Sequence, residues 1–341
     1  MKNSYGCDKI TLTAFHIKEL SMTVTTEEIF KNHQIRKTAD QRKSFRSYLS
    51  HTAESYGYKV KCEKCQRGAV NVVVGEPSIA KVIYSAHYDT CAVMPLPNFI
   101  TPKCFPIYLA YQLILTTIMF FIPFLIMFVG APHVLEHTGS RPIYTITLLG
   151  GYALLWVILY LAMNGPANKH TANDNTSGVT LLLDIMRDLP EEYKDSVAFI
   201  FFDLEEKGLI GSRCYKMMHK DIARTKPLIN FDCVSDGSNI LFAIKKNAVS
   251  IAPKLEEAFK PTEKYSVDIA TKGVFYPSDQ RNFDLGIGVA ALKKAKCGVL
   301  YMDKIHTARD TVYDEENIEY LKNGAIELAK MLAKNASNEI R

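Results

Sequence analysis

Two stretches without a single charged residue constrain this chain most: residues 105–130 and residues 143–163, 26 and 21 positions long. A helix needs about 20 apolar residues to cross a bilayer, so each run is long enough. The link between them, residues 131–142, carries Glu136, Arg141 and two histidines, and the runs therefore read as a helical hairpin. Pro123 is predicted to kink the first helix, which membrane helices tolerate. Lys103 and Lys169 flank the hairpin and Arg141 sits in its link, so charge asymmetry barely orients it. The expected organisation is a soluble domain built from residues 1–104 and 164–341, interrupted by a transmembrane hairpin at residues 105–163.

Elsewhere the chain has ordinary globular composition: 48% apolar, 23% charged, net charge +5. Lys and Arg are scattered, with no basic tract beside aromatic residues, so a nucleic-acid partner is not expected. The first 20 residues hold no continuous apolar core and do not read as a secretory signal. Together with eight cysteines in no disulfide pattern, this places the large domain in a reducing compartment, the cytoplasm, against a cell membrane crossed twice. Cys62 and Cys65 have no further ligand pair at matching spacing and read as an incidental pair on a surface hairpin.

Outside the hairpin, apolar runs alternate with helical periodicity. Strands are expected at residues 58–60, 69–74, 80–86, 196–203, 227–234, 240–244, 266–270, 290–292 and 299–302. Helices are expected at residues 25–56, after Gly178 with Val179, Leu182, Leu183 and Met186 on one side, and at 209–222, 252–259 and 315–333. This alternation predicts an α/β fold with a mixed, mostly parallel central sheet sandwiched by helices.

Polar groups collect where the apolar strands end. The run through Phe202 stops in Asp203, Glu205 and Glu206, and the run through Ala86 stops in His87 and Asp89. Asp232 ends another run, Asp174 lies in a turn-rich loop, and His306 sits in Ile305-His306-Thr307-Ala308-Arg309-Asp310-Thr311. Carboxylates at the tip of a buried strand are costly unless something positive meets them, and in open α/β sheets that edge is where ligands bind. Two histidines with several carboxylates make a nitrogen and oxygen donor set suited to Zn²⁺. One carboxylate can bridge two ions about 3.5–4 Å apart.

In this order the motifs Ser-Ala-His87-Tyr-Asp89-Thr, Ala-Asn-Asp174-Asn-Thr-Ser-Gly, Asp-Leu-Glu205-Glu206-Lys-Gly, Asn-Phe-Asp232, Ser278-Asp279 with Phe283, and His306-Thr-Ala-Arg-Asp-Thr resemble the co-catalytic di-zinc aminopeptidases. This is peptidase family M28, which also holds glutamate carboxypeptidase II and, more distantly, glutaminyl cyclases. The resemblance implies two zinc ions: one on His87, Asp174 and Asp232, the other on Asp174, Glu206 and His306, with Asp174 bridging. It implies that Glu205 is the general base and that Asp89 orients His87; Tyr276 is a candidate donor to the oxyanion, with ordinary packing as the alternative. Asp310 and Thr311 are expected to brace the loop of His306.

Two departures from the resemblance stand out. The hairpin occupies a place where relatives have a short loop, and Gln280 stands where many have His. The expected function is a membrane-anchored aminopeptidase that removes N-terminal residues from peptides, including hydrophobic or membrane-derived ones. The alternatives are a carboxypeptidase, dipeptidase or other amide hydrolase, and, from another class, a catalytically dead receptor or scaffold. Glutaminyl cyclisation is disfavoured, because those relatives bind one zinc and this ligand set suffices for two.

Overall fold

The computed structural model describes residues 23–338 except Pro95; the N-terminal stretch read as lacking a signal lies outside them. Nine strands among these residues form one sheet: β1 (Val60–Lys64), β2 (Val70–Val74), β3 (Val82–His87), β4 (Val197–Phe202), β5 (Leu228–Phe231), β6 (Asn239–Ile244), β7 (Ser266–Ala270), β8 (Gly286–Lys294) and β9 (Leu300–Tyr301). The order is β1-β2-β4-β3-β5-β8-β6-β7, with β9 on β8. The centre, β4-β3-β5-β8, is parallel, while β2 joins β4, and β6 joins β8, antiparallel. The sheet is mixed, as expected, but not mostly parallel: four strand pairings are parallel and four antiparallel, with the parallel ones at the centre and at β6-β7.

Helices cover both faces. α1 (Val24–Asn32) and α2 (Ala39–Ser55) precede the sheet, with α2 started by a reciprocal capping box between Thr38 and Gln41. The single helix expected over residues 25–56 is thus two, separated at the Ile35-Arg36 segment. Past the first β-α crossover come α3 (Phe105–Leu125), α4 (Ala131–Thr138), α5 (Arg141–Asn164) and α6 (Ser177–Asp188). Then follow α7 (Ile210–Met218), α8 (Lys220–Thr225), α9 (Ala252–Ala258) and α10 (Glu315–Asn338).

The central strand β4 is apolar at every position because both of its faces are buried. Alternate side chains of β4 divide between two cores. Phe199 and Phe201 face Phe45 and Leu49 of α2, Leu182 and Met186 of α6, and Leu321 and Leu328 of α10. Ala198, Ile200 and Phe202 face Tyr215 of α7 and Ala223 of α8. Each large side chain so buried is worth about 1.5–3 kcal/mol.

The two uncharged runs are helices, but the expected link is mostly helical too. The first span runs unbroken from Phe105 to Thr138 through a π turn at Ile126–Gly130, and the chain reverses at Gly139. Pro123 explains the irregularity, because it brings no N–H to the helical ladder. A Cβ at Gly151 of α5 would lie 2.4 Å from Met127, so glycine there lets the two helices close. Both helices are long and apolar enough to cross a membrane. Their outward side chains stay uncovered by protein, as at Phe128, Ile146 and Trp156, each more than two-thirds exposed.

The candidate metal centre

Parallel pairing explains why distant residues meet. Register sets His87 beside Phe202 across β3 and β4, and Ser85 beside Asn230 across β3 and β5. The C-terminal ends of three adjacent strands therefore deliver His87, the Glu205-Glu206 turn and Asp232 to one edge of the sheet. The loop ahead of α6 brings Asp174 there, and the segment ahead of α10 brings His306.

Asp174 lies between the two histidines with one oxygen towards each: Oδ1 is 3.2 Å from Nε2 of His87, and Oδ2 is 2.9 Å from Nε2 of His306. Asp232 Oδ1 lies 3.6 Å from His87 Nε2, and Glu206 Oε2 lies 3.2 Å from His306 Nε2. Ligand atoms of His87, Asp174 and Asp232 fall within 4.8 Å of one another. Glu206 Oε1 is buried and has no hydrogen-bond partner. A carboxylate oxygen left bare among other carboxylates is expensive, and a cation is what such a donor set fits.

The loops are held in place by hydrogen bonds and by backbone strain. Leu204, Cys233 and His306 all have φ near +60°, a conformation that non-glycine residues adopt at a cost and that clusters at functional sites. A Cβ at Gly178 would lie 2.3 Å from the Phe231 carbonyl oxygen, so only glycine lets the Asp174 loop pack this closely on β5. Asn175 continues that packing by donating to the same carbonyl.

Asp89 and Asp310 make contacts beyond those expected. The carboxylate of Asp89 accepts from the main-chain N–H groups of Glu205 at 2.9 Å and Glu206 at 3.3 Å, so it fixes their turn. His87 Nδ1 is nearer to the Asp89 main-chain carbonyl, at 3.1 Å, than to its carboxylate, at 3.6 Å. The side chain of Asp310 reaches a second loop. It accepts from the N–H groups of Asn173 and Asp174, at 2.8 and 3.0 Å, and so clamps Asp174 in its place between the histidines. The Tyr276 hydroxyl donates to the Asp232 carbonyl at 2.9 Å. Gln280 joins Asn230 to the Tyr276 main chain and takes no place beside the carboxylates. Asp203, third of the acids at the tip of β4, turns away to Arg42 at 2.8 Å and the Val70 N–H.

Charge crowding sets the electrostatics. Burial lifts the carboxyls of Glu205 and Glu206 above the usual carboxylate range, Glu205 well above. Burial would also lift Asp174, but the two imidazoles hold it below that range. Burial disfavours charge on His87 and His306, yet the surrounding carboxylates raise both well above the ordinary imidazole value. Two contributors were given no role by the sequence. Arg36 is fully buried, donates to Tyr88 O, His33 O and Thr176 Oγ1, and sits in the field of Asp89 and Asp174. Burial drops its guanidinium to about 10. Burial pushes Asp279, in the Ser278-Asp279 motif but given no role there, up to about 7.

A cavity of about 200 Å³ opens on the Glu205 side, with Ile100, Tyr108, Phe275, Met302 and Ile305 as its apolar wall. Tyr108 belongs to the first hairpin helix, and its ring lies 5.6 Å from that of Phe275. Lys103, just before that helix, pairs with Asp268. A smaller cavity of about 90 Å³ lies on the Glu206 side, where Ala162 and Met163 of the second hairpin helix join the wall. There Lys37 donates to Met163 O, and Lys207 to Asn164 Oδ1. Both roots of the hairpin are thus fastened beside the centre.

With this geometry in hand, known proteins place the chain. The peptidase family M28 pattern matches residues 159–331, just over half of the sequence. The chain belongs to peptidase family M28. No curated protein sequence matches it. Among solved structures, it is similar to Porphyromonas gingivalis glutaminyl cyclase at 16% identity and TM-score 0.54, over 90% of this chain and 95% of that one. It is similar to a Zn-dependent exopeptidase from Parabacteroides distasonis at 15% and 0.54, over 89% and 94%. It is similar to the Legionella pneumophila LapA aminopeptidase at 13% and 0.51, over 89% and 69%. At these identities the likeness establishes the shared fold, a central sheet flanked by helices.

Proposed function

We propose that this member of the family is a zinc-dependent exopeptidase, an aminopeptidase anchored in a membrane by residues 105–163 and working on peptides at the bilayer surface. The observation that carries the reading is Asp174, split between two histidines that each have a further carboxylate of their own. His87, Asp174 and Asp232 would hold one zinc, and Asp174, Glu206 and His306 the other. Charge supports a cation here. Asp89, Asp174, Glu205, Glu206 and Asp232 converge on the centre, and Arg36 is buried in the field of Asp89 and Asp174. When bound, the zinc pair would lower the pKa of water towards about 7 and polarise the scissile carbonyl.

The protein's own residues supply the rest. Glu205 is held at its main chain by Asp89 and makes no ion pair with either histidine, which leaves its carboxylate free to accept a proton from the attacking water and return it to the leaving amine. The cavity beside it, walled by Ile100, Phe275 and Met302, suits an apolar side chain next to the cleaved bond. Tyr276 would reach the oxyanion only by giving up its bond to Asp232 O. Because both hairpin roots flank the centre, substrates would arrive at the membrane surface, on the cytoplasmic side by the reading of the cysteines.

Glutaminyl cyclisation is a second reading, supported by the likeness to the Porphyromonas protein. Mass spectrometry on peptides that begin with a free residue, with Gln or with an acyl block, with and without chelator, separates the two. Release of the first amino acid supports the aminopeptidase. Loss of ammonia from the Gln peptide alone would replace it, and cleavage only at the far end would make the enzyme a carboxypeptidase. A lipid-tethered peptide cleaved no faster than its soluble counterpart in liposomes would refute the surface-substrate reading.

A further inference from the structure

Cys91 stands four residues past His87, in the loop that leaves β3, and nothing above uses it. Its thiol is free and buried. The Cys91 carbonyl accepts from Asn168 N–H at 3.2 Å, and Met94 N–H donates to His306 O at 2.7 Å, so this loop is stitched to the one carrying His306. Its Sγ, an oxygen of Glu206 and a ring nitrogen of His306 all fall within 4.8 Å of one another. Independently, Glu206 points to a ligand: its side chain is nine-tenths buried, Oε2 faces His306, and Oε1 has no hydrogen-bond donor. Sulfur, nitrogen and a carboxylate oxygen gather beside the smaller cavity, which all three residues line.

We infer that Cys91 supplies a thiolate ligand to the cation held by Glu206 and His306, making that half of the pair a mixed sulfur, nitrogen and oxygen site. The inference rests on the proposed metal pair. On binding, the S–H bond breaks heterolytically. Its electron pair stays on sulfur and forms the sulfur–metal bond, and the proton goes to solvent. Nothing is oxidised or reduced. A thiolate makes the site softer, so it selects Zn²⁺ over Mg²⁺ or Mn²⁺. As an added anionic donor it also damps the Lewis acidity of that ion, which leaves carbonyl polarisation mainly to the ion on His87 and Asp232.

Zinc-edge X-ray absorption on the full-length protein loaded with two zinc ions tests this. The exposed Cys62 and Cys297 are replaced by Ser to remove adventitious sulfur. The expected spectrum contains a sulfur shell at about 2.3 Å beside the lighter ligands, at about half a sulfur per zinc. Cys91→Ser should abolish the shell and weaken one zinc by about 10–100-fold in chelator competition. Cys233→Ser, which alters the other thiol at the centre, should keep it. Two zinc ions with no sulfur shell would overturn the inference and leave the proposed function standing, whether or not Cys91→Ser folds. So would a shell that disappears in Cys233→Ser. Failure to bind two ions at all would remove the proposed metal pair and the inference with it.

Discussion

Glu205→Gln separates the proposed general base from the proposed metal ligands around it. The substitution keeps shape and removes the ability to take a proton. The Glu205 main chain stays pinned by Asp89 at 2.9 Å, and no histidine pairs with its side chain. The three carboxylates proposed as ligands beside His87 and His306, Asp174, Asp232 and Glu206, are therefore untouched, and two zinc ions should still bind within a few-fold of the wild-type affinity. General-base loss costs about 10²–10⁴ in rate, or about 3–5 kcal/mol of transition-state stabilisation at 1.36 kcal/mol per decade. The loss should appear in kcat with KM nearly unchanged, measured on a chromogenic aminoacyl anilide with detergent-solubilised enzyme and metal content determined on the same sample. Turnover within about tenfold of wild type at full zinc occupancy would refute the assignment.

Asp310→Ala removes both clamps on the Asp174 loop, and zinc affinity should fall about 10–100-fold, read by chelator competition. Arg42→Met should destabilise the fold by about 1–3 kcal/mol, because it leaves buried Asp203 with Arg46, 3.7 Å away, as its remaining cation; a thermal unfolding scan checks this, and the folded fraction should still bind zinc. In zinc-free protein, Asp279 holds a proton up to about pH 7 that the unfolded chain has released by about pH 4. The folded state then binds more protons across that window, so stability falls as pH rises through it. Asp279→Asn should flatten the decline in urea midpoint between pH 4 and 8.

Much of the centre was legible because its residues terminate apolar strands, and parallel pairing must bring such ends to one edge. His87, Glu205, Glu206 and Asp232 announce themselves this way, and so does the sheet that carries them. Roles set by side-chain direction were not legible. Asp203 and Glu205 are two residues apart on the same tip, yet one turns to Arg42 and the other stays at the centre, and no periodicity encodes that choice. Asp310 reaches across to a loop more than 130 residues earlier. Arg36 lies between two helical segments, where a buried guanidinium looks in sequence like any surface arginine. The link between the two apolar runs is mostly helical although its charges and prolines suit a loop, because Pro at the first turn of a helix is well tolerated, and both α4 and α5 begin that way.

The most direct test of the metal pair is a zinc titration of chelated, full-length enzyme with turnover followed at each addition. Activity should climb to a plateau at two equivalents of zinc per chain, and Asp174→Ala should stay inactive throughout. Full activity at one equivalent, or in the metal-free protein, would contradict the account.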